Sequence, residues 1–432
     1  NEGAGPPEVT QEELDWLDQE AMKMELKRLK ELQVIDNVSD DVVVEDCVRL
    51  DTRLVRDWRY REGQWRRRAR LVAREFRDGD CSHIDTFSPT TPLPIVKLLI
   101  ILSMLYDLAI CSLDVGDAFL QVPQRTTVLI EVPLWAQQEQ GEKHQFWILR
   151  RCLPGQRAAA SEWNQFFVEV CARHGFDNFQ GTIFKHREQQ AYISAHIDDL
   201  LVVGSKEFIV GFHGELSKEL KLKIEGPLQC GDEGSIYYLK RELQFTEHGI
   251  YVASSSRYIP RLLEIFKIKD RRGRTVPHHG CLEIFDAASI AEDEFLNGDE
   301  AKVFRSALGI CIYLSQERCD IQHPVRILAS YMARPTKTAM SAVKKLGSYL
   351  MWTKEMKLYY GKAELYQSVM QRWFEGQQRL ESKPFMLELF SDSDWATCKT
   401  SRRSTSSGLI FLNSCLIHSH SRAQNSVSLS SM

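Results

Sequence analysis

"AICSLDVGDAFLQV" at residues 109–122 and "AHIDDLLVVG" at residues 195–204 are the two stretches on which the fold turns. The first is a mostly apolar strand that ends in two acids, Asp114 and Asp117. The second divides into two strand-like runs, Ala191 to Ile197 and Leu200 to Val203, separated only by Asp198-Asp199, which is hairpin punctuation with aspartates in the turn. An Asp-Asp pair in a turn is, by itself, more often turn chemistry than a metal site. Here, however, Leu113, Val115, Ala118, Ile197, Leu200 and Val202 crowd the acids, and carboxylates so placed are costly without a cation. If the strands are neighbours in one antiparallel sheet, Asp114, Asp198 and Asp199 gather at one edge. Such a set can hold two divalent ions about 4 Å apart, the arrangement that drives phosphoryl transfer.

Outward from these strands, Pro92 to Tyr106 reads as a buried helix, and Ala158 to His174 as a helix with Trp163, Phe166, Phe167 and Val170 on one face. Between Arg53 and Arg77, ten arginines face three acids (Asp57, Glu62, Glu75) and are interleaved with Trp58, Tyr60 and Trp65. Cations mixed with flat aromatic faces suit a phosphate backbone and stacked bases, although a solvated arginine-rich hairpin has the same composition. Glu20 to Leu32 spaces Met22, Leu26, Leu29 and Leu32 as an amphipathic helix, after an acidic leader containing Gly5-Pro6-Pro7. Charge alternates with leucine from Glu215 to Lys223. Strands are expected near Tyr237 to Phe245, Ile250 to Ala253 and Phe385 to Phe390, and helices at Tyr258 to Phe266, Ala301 to Leu314, Pro324 to Met332 and Thr338 to Trp352. Gly273 to Gly280 and Ala291 to Glu300 read as loops.

The bulk numbers fit this picture. At 432 residues, with 43% hydrophobic and 26% charged residues, the chain has the composition of a globular protein of two to four subdomains. A net charge of −4 leaves the question of nucleic acid to local patches. The 11 cysteines form no CxxC pair, which argues against a secreted disulfide framework and a structural zinc site, and points to a reducing, intracellular setting. The longest apolar run, Leu98 to Tyr106, is far short of the roughly 20 residues that span a bilayer, so neither a membrane segment nor a membrane partner is expected. His278-His279 with Cys281, and His418 with His420, lack partners at zinc-finger spacing and read as loop or strand-surface histidines. The chain starts at Asn1 rather than Met and stops at "LSSM", so it is expected to be a piece of something longer.

"LDVGDAFLQVP" (113–123) resembles the first polymerase motif of reverse transcriptases, in which an Asp is followed four and five residues later by a small residue and an aromatic. "AHIDDLLVVG" resembles their Tyr-x-Asp-Asp hairpin. "RARLVAREF" (68–76), "DTFSPTTPLPIVKLLI" (85–100), "LPGQRAAASEW" (153–163), "RYIPRLLEIF" (257–266) and "FRSALGICIYL" (304–314) are similar, in order and rough spacing, to the copia-type retrotransposon family, and the match runs from about Glu20 to the C-terminus.

That resemblance implies an α+β, right-hand polymerase fold. A leader at 1–19 would precede fingers and an antiparallel palm sheet at 20–254, a thumb and connection at 255–380, and a truncated ribonuclease H-like α/β domain at 381–432. The implied activity is RNA- and DNA-directed DNA synthesis with two Mg²⁺ ions, Mn²⁺ being a substitute. It takes an RNA or DNA template-primer and deoxynucleoside triphosphates, beside the integrase, protease and Gag segments of one polyprotein, in a cytoplasmic particle and the nucleus. By the same carry-over, Asp114, Asp198 and Asp199 are the catalytic and metal-binding triad, with Val115 a further metal ligand. Arg70, Asp117, Ala118 and Lys223 attend the triphosphate, and the Phe119 ring crowds the sugar's 2′-carbon. "LFSDSDWATCKTSRRSTSSGLIFL" (389–412) resembles the opening of the family's ribonuclease H domain, with Asp392 as its first carboxylate and Asp394 as the neighbouring alternative. With one such carboxylate, no ribonuclease H activity is expected of this chain alone. His196, Ile197, Pro154, Ala158 and Ser161 depart from the family pattern, Ala158 standing where a nucleotide-contacting Gln is common. A catalytically decayed, nucleic-acid-binding remnant is therefore the alternative.

Overall fold

The computed structural model describes residues 5–38, 47–61, 63–75, 86–140, 145–266, 276–277, 294–361, 385–398 and 401–428. They form two compact units interleaved along the chain. The first takes Asn1–Thr91, Leu113–Leu200 and Phe212–Lys223; the second takes Pro92–Ser112, Leu201–Gly211 and Ile224–Met432. The mixture of helices and sheets is the α+β class that was expected. Among the described residues, no helix is long and apolar enough to cross a membrane.

In the first unit, a helix over Gln11–Glu31 opens on a reciprocal cap between Thr10 and Glu13. The acidic leader is therefore shorter than expected, because the cap lies inside a stretch whose composition reads as linker. Two acids on this helix are buried, Asp18 and Glu25. Asp18 accepts from Arg56 at 2.9 Å and Arg67 at 2.5 Å, and Glu25 accepts the Leu71 backbone N–H at 2.9 Å. These bonds tie the helix to a two-stranded ribbon, Thr52–Arg61 with Gln64–Ala73, registered from Thr52↔Ala73 to Arg61↔Gln64. Leu26, Leu29, Val34, Leu71, Trp147 and Leu153 close the core beneath, each large side chain contributing roughly 1.5–3 kcal/mol of burial. The loop after this core needs glycine at one point: Gly155 has φ +93, and a Cβ there would lie 2.2 Å from the Ala73 carbonyl oxygen.

A six-stranded sheet takes its strands in the order Leu222–Gln229, Ala109–Val115, Asp199–Gly204, Tyr192–His196, Ile183–His186 and Phe176–Phe179. The two aspartate-bearing strands are thus neighbours, as the two motifs anticipated. The first ends at Val115 and not near Val122, because Asp117 adopts φ 57 and Ala118–Gln121 turns into a short helix. The hairpin turn is Ile197-Asp198, and Asp199 already opens the next strand.

The second unit packs helices Gly298–Leu314, Gln322–Ala329 and Lys337–Trp352 around Leu262, Phe304, Leu308, Val343 and Leu346. The single strand expected over Tyr237 to Phe245 is a hairpin, Gly234–Tyr238 with Arg241–Phe245. Its turn places Leu239 and Lys240 at φ 49 and 59 without the Gly or Asn that normally signals such a turn. Arg241 Nη1 and the Tyr313 hydroxyl, both at 2.9 Å from the Leu239 carbonyl oxygen, hold it instead. The helix expected from Ala301 begins at Gly298, capped by Asn297 and Glu300. Leu387–Ser393, Thr405–Leu412 and Cys415–Ala423 form a three-stranded sheet. His278, His279 and Cys281 lie outside the described residues.

Candidate active site

The edge of the six-stranded sheet that lies in the first unit carries the three acids. The Val115 backbone N–H donates to the Asp198 carbonyl oxygen at 2.8 Å, so the end of one strand is pinned to the tip of the hairpin beside it. Ile197 sits in the turn at φ 55, a costly conformation for a β-branched residue, and the Trp163 indole N–H donates to its carbonyl oxygen at 2.7 Å. Asp114 and Asp198 are exposed and Asp199 is half-buried. The Asp198 carboxyl is nonetheless raised above the ordinary carboxylate range, first by desolvation and then by the like charge of Asp114, while His196 and Arg70 pull the other way. Two carboxylates that feel each other in this manner form a site short of positive charge. Among the described residues, no three His, Cys, Asp or Glu side chains converge into a ready metal cage. Asp114 and Asp198 are linked by the backbone bond and by their electrostatics, with both residues exposed, while Asp199 stands half-buried at the start of the next strand.

Three residues on, Asp117 is the centre of a cluster of cations. Its Oδ1 pairs with Arg28 Nη1 at 2.5 Å and lies 3.8 Å from Arg70 Nη2, and its Oδ2 lies 3.8 Å from Lys221 Nζ. The second arm of Arg28 pairs with Glu25 at 2.6 Å. Gln121 fixes the far side: its amide donates to the Gly116 carbonyl at 2.6 Å and its oxygen accepts the Lys221 N–H at 3.0 Å. Burial, and then repulsion from Arg68 and Arg28, lower the Arg70 pKa from its usual value. The Nε atoms of Arg28 and Arg70 are buried without a hydrogen-bond partner.

The sequence-expected residues Arg70 and Asp117 therefore stand together, with Ala118 and Val115 buried beside them and Phe119 half-buried. The cation in reach of Asp117 on the Lys221/Lys223 segment is Lys221, while Lys223 is exposed two residues further on. Arg28 and Lys221 were not singled out from the sequence. Alternation along a strand puts 221 and 223 on one face, which offers a signal for Lys221; nothing local marks Arg28.

The ribbon sets Trp58 opposite Arg67, Arg59 opposite Arg66 and Tyr60 opposite Trp65. The Arg67 guanidinium lies 5.5 Å from the Trp58 ring centroid, and Tyr60 meets Trp65 edge-on at 5.4 Å. Arg59 is joined to an anion already, its Nε donating to Asp57 at 2.8 Å, as Arg67 is to Asp18.

In the second unit, Asp392 ends an exposed strand beside a depression of about 350 Å³ lined also by Asp394, His323 and His420. Asp394 is occupied structurally: burial pushes its pKa up, but bonds from Thr405 and Thr397 more than offset this and hold it low. His418 and His420 stack on the strand at 5.7 Å between rings, where the sequence reading put them. Burial pushes the Cys111 and Cys152 thiols up to about 12, so they are inert core residues at neutral pH.

A strand-and-hairpin aspartate edge and a cation cluster beside it thus stand with a basic ribbon in the first unit. Residues 51–280 match the family model described as reverse transcriptase (RNA-dependent DNA polymerase), and the chain belongs to that family. It is 27% identical over 376 residues to the retrovirus-related Pol polyprotein from transposon TNT 1-94 of Nicotiana tabacum, covering 84% of this chain and 26% of that one. It is 23% identical over 375 residues to the corresponding polyprotein from transposon RE1 of Arabidopsis thaliana, covering 85% and 23%. The chain thus spans about a quarter of the length of these relatives and is the reverse transcriptase region of a copia-type Pol polyprotein. Among solved structures, a foamy viral protease-reverse transcriptase in complex with double-stranded DNA aligns at a TM-score of 0.47 and 11% identity, over 98% of this chain and 58% of that one.

Proposed function

We propose that the chain catalyses template-directed addition of deoxynucleotides to a primer 3′-hydroxyl, with Asp114, Asp198 and Asp199 holding two Mg²⁺ ions and the Val115 carbonyl as a further ligand. The single observation that carries this reading is the Val115–Asp198 backbone bond at the sheet edge, which keeps the two acid-bearing strands in register while the Asp198 carboxyl senses the charge of Asp114. Adjacent strands lie about 4.8 Å apart, so rotation about χ1 is enough to bring these carboxylates onto shared ions. The ions, when bound, activate the 3′-hydroxyl and stabilise the leaving pyrophosphate.

The chain's own residues do the rest. Asp117 and Ala118 receive the triphosphate largely through their backbone N–H groups at the foot of the strand, Arg70 reaches it from the ribbon, and Phe119 excludes a 2′-hydroxyl by contact with the sugar. Lys223, carried over as the general acid for pyrophosphate, shares that role with Lys221. The ribbon arginines follow the template backbone, with Trp58, Tyr60 and Trp65 offering stacking faces. In this reading residues 20–254 form fingers and palm, 255–380 thumb and connection, and 381–432 a ribonuclease H-like region in which Asp392 is the first carboxylate. The chain works within a polyprotein that also supplies integrase, protease and Gag, in a cytoplasmic particle and the nucleus.

The test is primer extension on a homopolymer RNA template with Mg²⁺, the wild type against Asp198→Asn. Extension by the wild type alone supports the reading, and full extension by the variant overturns the site. The rival, a binding remnant, draws on Ala158 and on the open disposition of the acids. It predicts template-primer binding without extension by either protein.

A further inference from the structure

We infer that Arg28, on the N-terminal helix, is a phosphate-binding residue of this site, and that the Asp117 carboxylate is a placeholder which occupies the anion position until a triphosphate displaces it. The inference rests on the polymerase reading for the identity of the ligand, but its observations are separate. Cations from three segments, Arg28, Arg70 and Lys221, converge on one carboxylate, at 2.5 Å for Arg28 and 3.8 Å for the other two. A single carboxylate cannot use the donors that two guanidinium groups and an ammonium present. Two of those donors, the Nε atoms of Arg28 and Arg70, are buried and unspent. Mutually repelling cations are costly, and a polyanion with several oxygens offsets that repulsion more fully than one carboxylate does.

Arg28 is also held in the way a ligand-binding guanidinium is held. Glu25, whose side chain is 3% exposed, takes one arm of Arg28 at 2.6 Å and accepts the Leu71 N–H at 2.9 Å. The guanidinium is thereby fixed from behind by the same carboxylate that anchors the ribbon strand carrying Arg70. When phosphate arrives, the arm now on Asp117 is the one that transfers, and the arm on Glu25 stays. No bond is made or broken in this exchange; one anion replaces another.

The experiment measures binding of inorganic tripolyphosphate to the full chain by calorimetry in EDTA, so that the readout does not run through the metal ions, and separately the KM for dTTP and kcat in primer extension. Loss of one charge-assisted contact is worth about tenfold or more in affinity. Arg28→Gln is therefore expected to weaken tripolyphosphate binding and raise the dTTP KM about tenfold, with kcat within about twofold, and Arg28→Lys to recover part of the loss. Asp117→Asn is expected to tighten tripolyphosphate binding, since the competing carboxylate is gone. Arg150→Gln, which removes an exposed cation paired to Asp36, controls for net charge and should change neither quantity. Unchanged tripolyphosphate affinity in Arg28→Gln overturns the role of Arg28, as does a fall in kcat with KM intact. Weaker binding in Asp117→Asn overturns the placeholder. Arg28-dependent tripolyphosphate binding by a chain that extends no primer keeps this inference and removes only the polymerase reading. Extension that is indifferent to Arg28 does the reverse.

Discussion

Two regions of this molecule gather charged side chains, and they do so in opposite ways. In the second unit, Arg241 and Glu317 are 7% and 2% exposed and meet at 2.5 Å. Each guanidinium nitrogen of Arg241 and each carboxylate oxygen of Glu317 has a partner: the Ser254 hydroxyl donates to Glu317 at 2.6 Å, and Gln316 and the Leu239 carbonyl accept from the two Arg241 nitrogens that do not meet Glu317. At the sheet edge of the first unit, Asp198 instead shares a partly desolvated locality with a like charge, and its pKa rises in consequence. The first region is a closed account of donors and acceptors that supports the fold. The second is left short of cations, which is the condition under which metal ions bind.

The sharpest break of this contrast is catalytic. Asp198→Asn or Asp114→Asn should reduce primer extension about a thousandfold or more, with template-primer affinity changed only a few-fold in a filter-binding assay. Next in size is the closed network. Glu317→Ala leaves a buried guanidinium uncompensated and should cost about 3–5 kcal/mol, seen as a lower urea midpoint of the second unit, whereas an Arg241→Met, Glu317→Leu double variant should cost much less. If Glu317→Ala unfolds no more easily than the wild type, the opposition between the two regions fails.

At the nucleotide, Phe119→Ala should raise incorporation of ribonucleotides relative to deoxynucleotides by about 10- to 100-fold; an unchanged ratio would make Phe119 a packing residue only. The smallest effect is on protonation. Because the Asp198 carboxyl titrates above an ordinary aspartate in the folded chain, its charge weakens the metal-free fold at neutral pH, and that cost is relieved as pH falls through the raised value. Asp114→Asn removes one cause of the rise, so an NMR titration of metal-free protein should find the Asp198 pKa lower in the variant, and the thermal midpoint at pH 7 should increase.

Much of this could be read from the residues because it rests on periodicity. The apolar runs around Asp114 and Asp198 have the length and composition of strands, and their adjacency in the sheet follows the two motifs. The helices over Leu93–Leu105, Ala159–Arg173 and Lys337–Trp352 also followed apolar spacing to within a residue or so at their ends. What escaped was set by partners distant in sequence. The leader reads as linker until Asp18 meets Arg56 and Arg67. Leu239-Lys240 carries no turn residue, and its geometry depends on Arg241 and Tyr313. Arg28 is an ordinary helix-surface arginine, paired with Glu25 three residues before it, until the fold puts Asp117 beside it. Periodicity reports which face is buried, and it says nothing about which charge will find which.

Ile197 turns this architecture into a choice for anyone who would make the protein heat-resistant. An Asn or Gly at 197 suits the left-handed backbone better and relieves strain on the order of 1 kcal/mol, so screens for thermal robustness will be drawn to this position. Yet the Trp163 indole holds the hairpin tip through the Ile197 backbone carbonyl, and a glycine there frees the backbone on either side of that bond. Durability gained there is accordingly exchanged for looser aim of Asp198, and a durable variant is better sought in the second unit's helices.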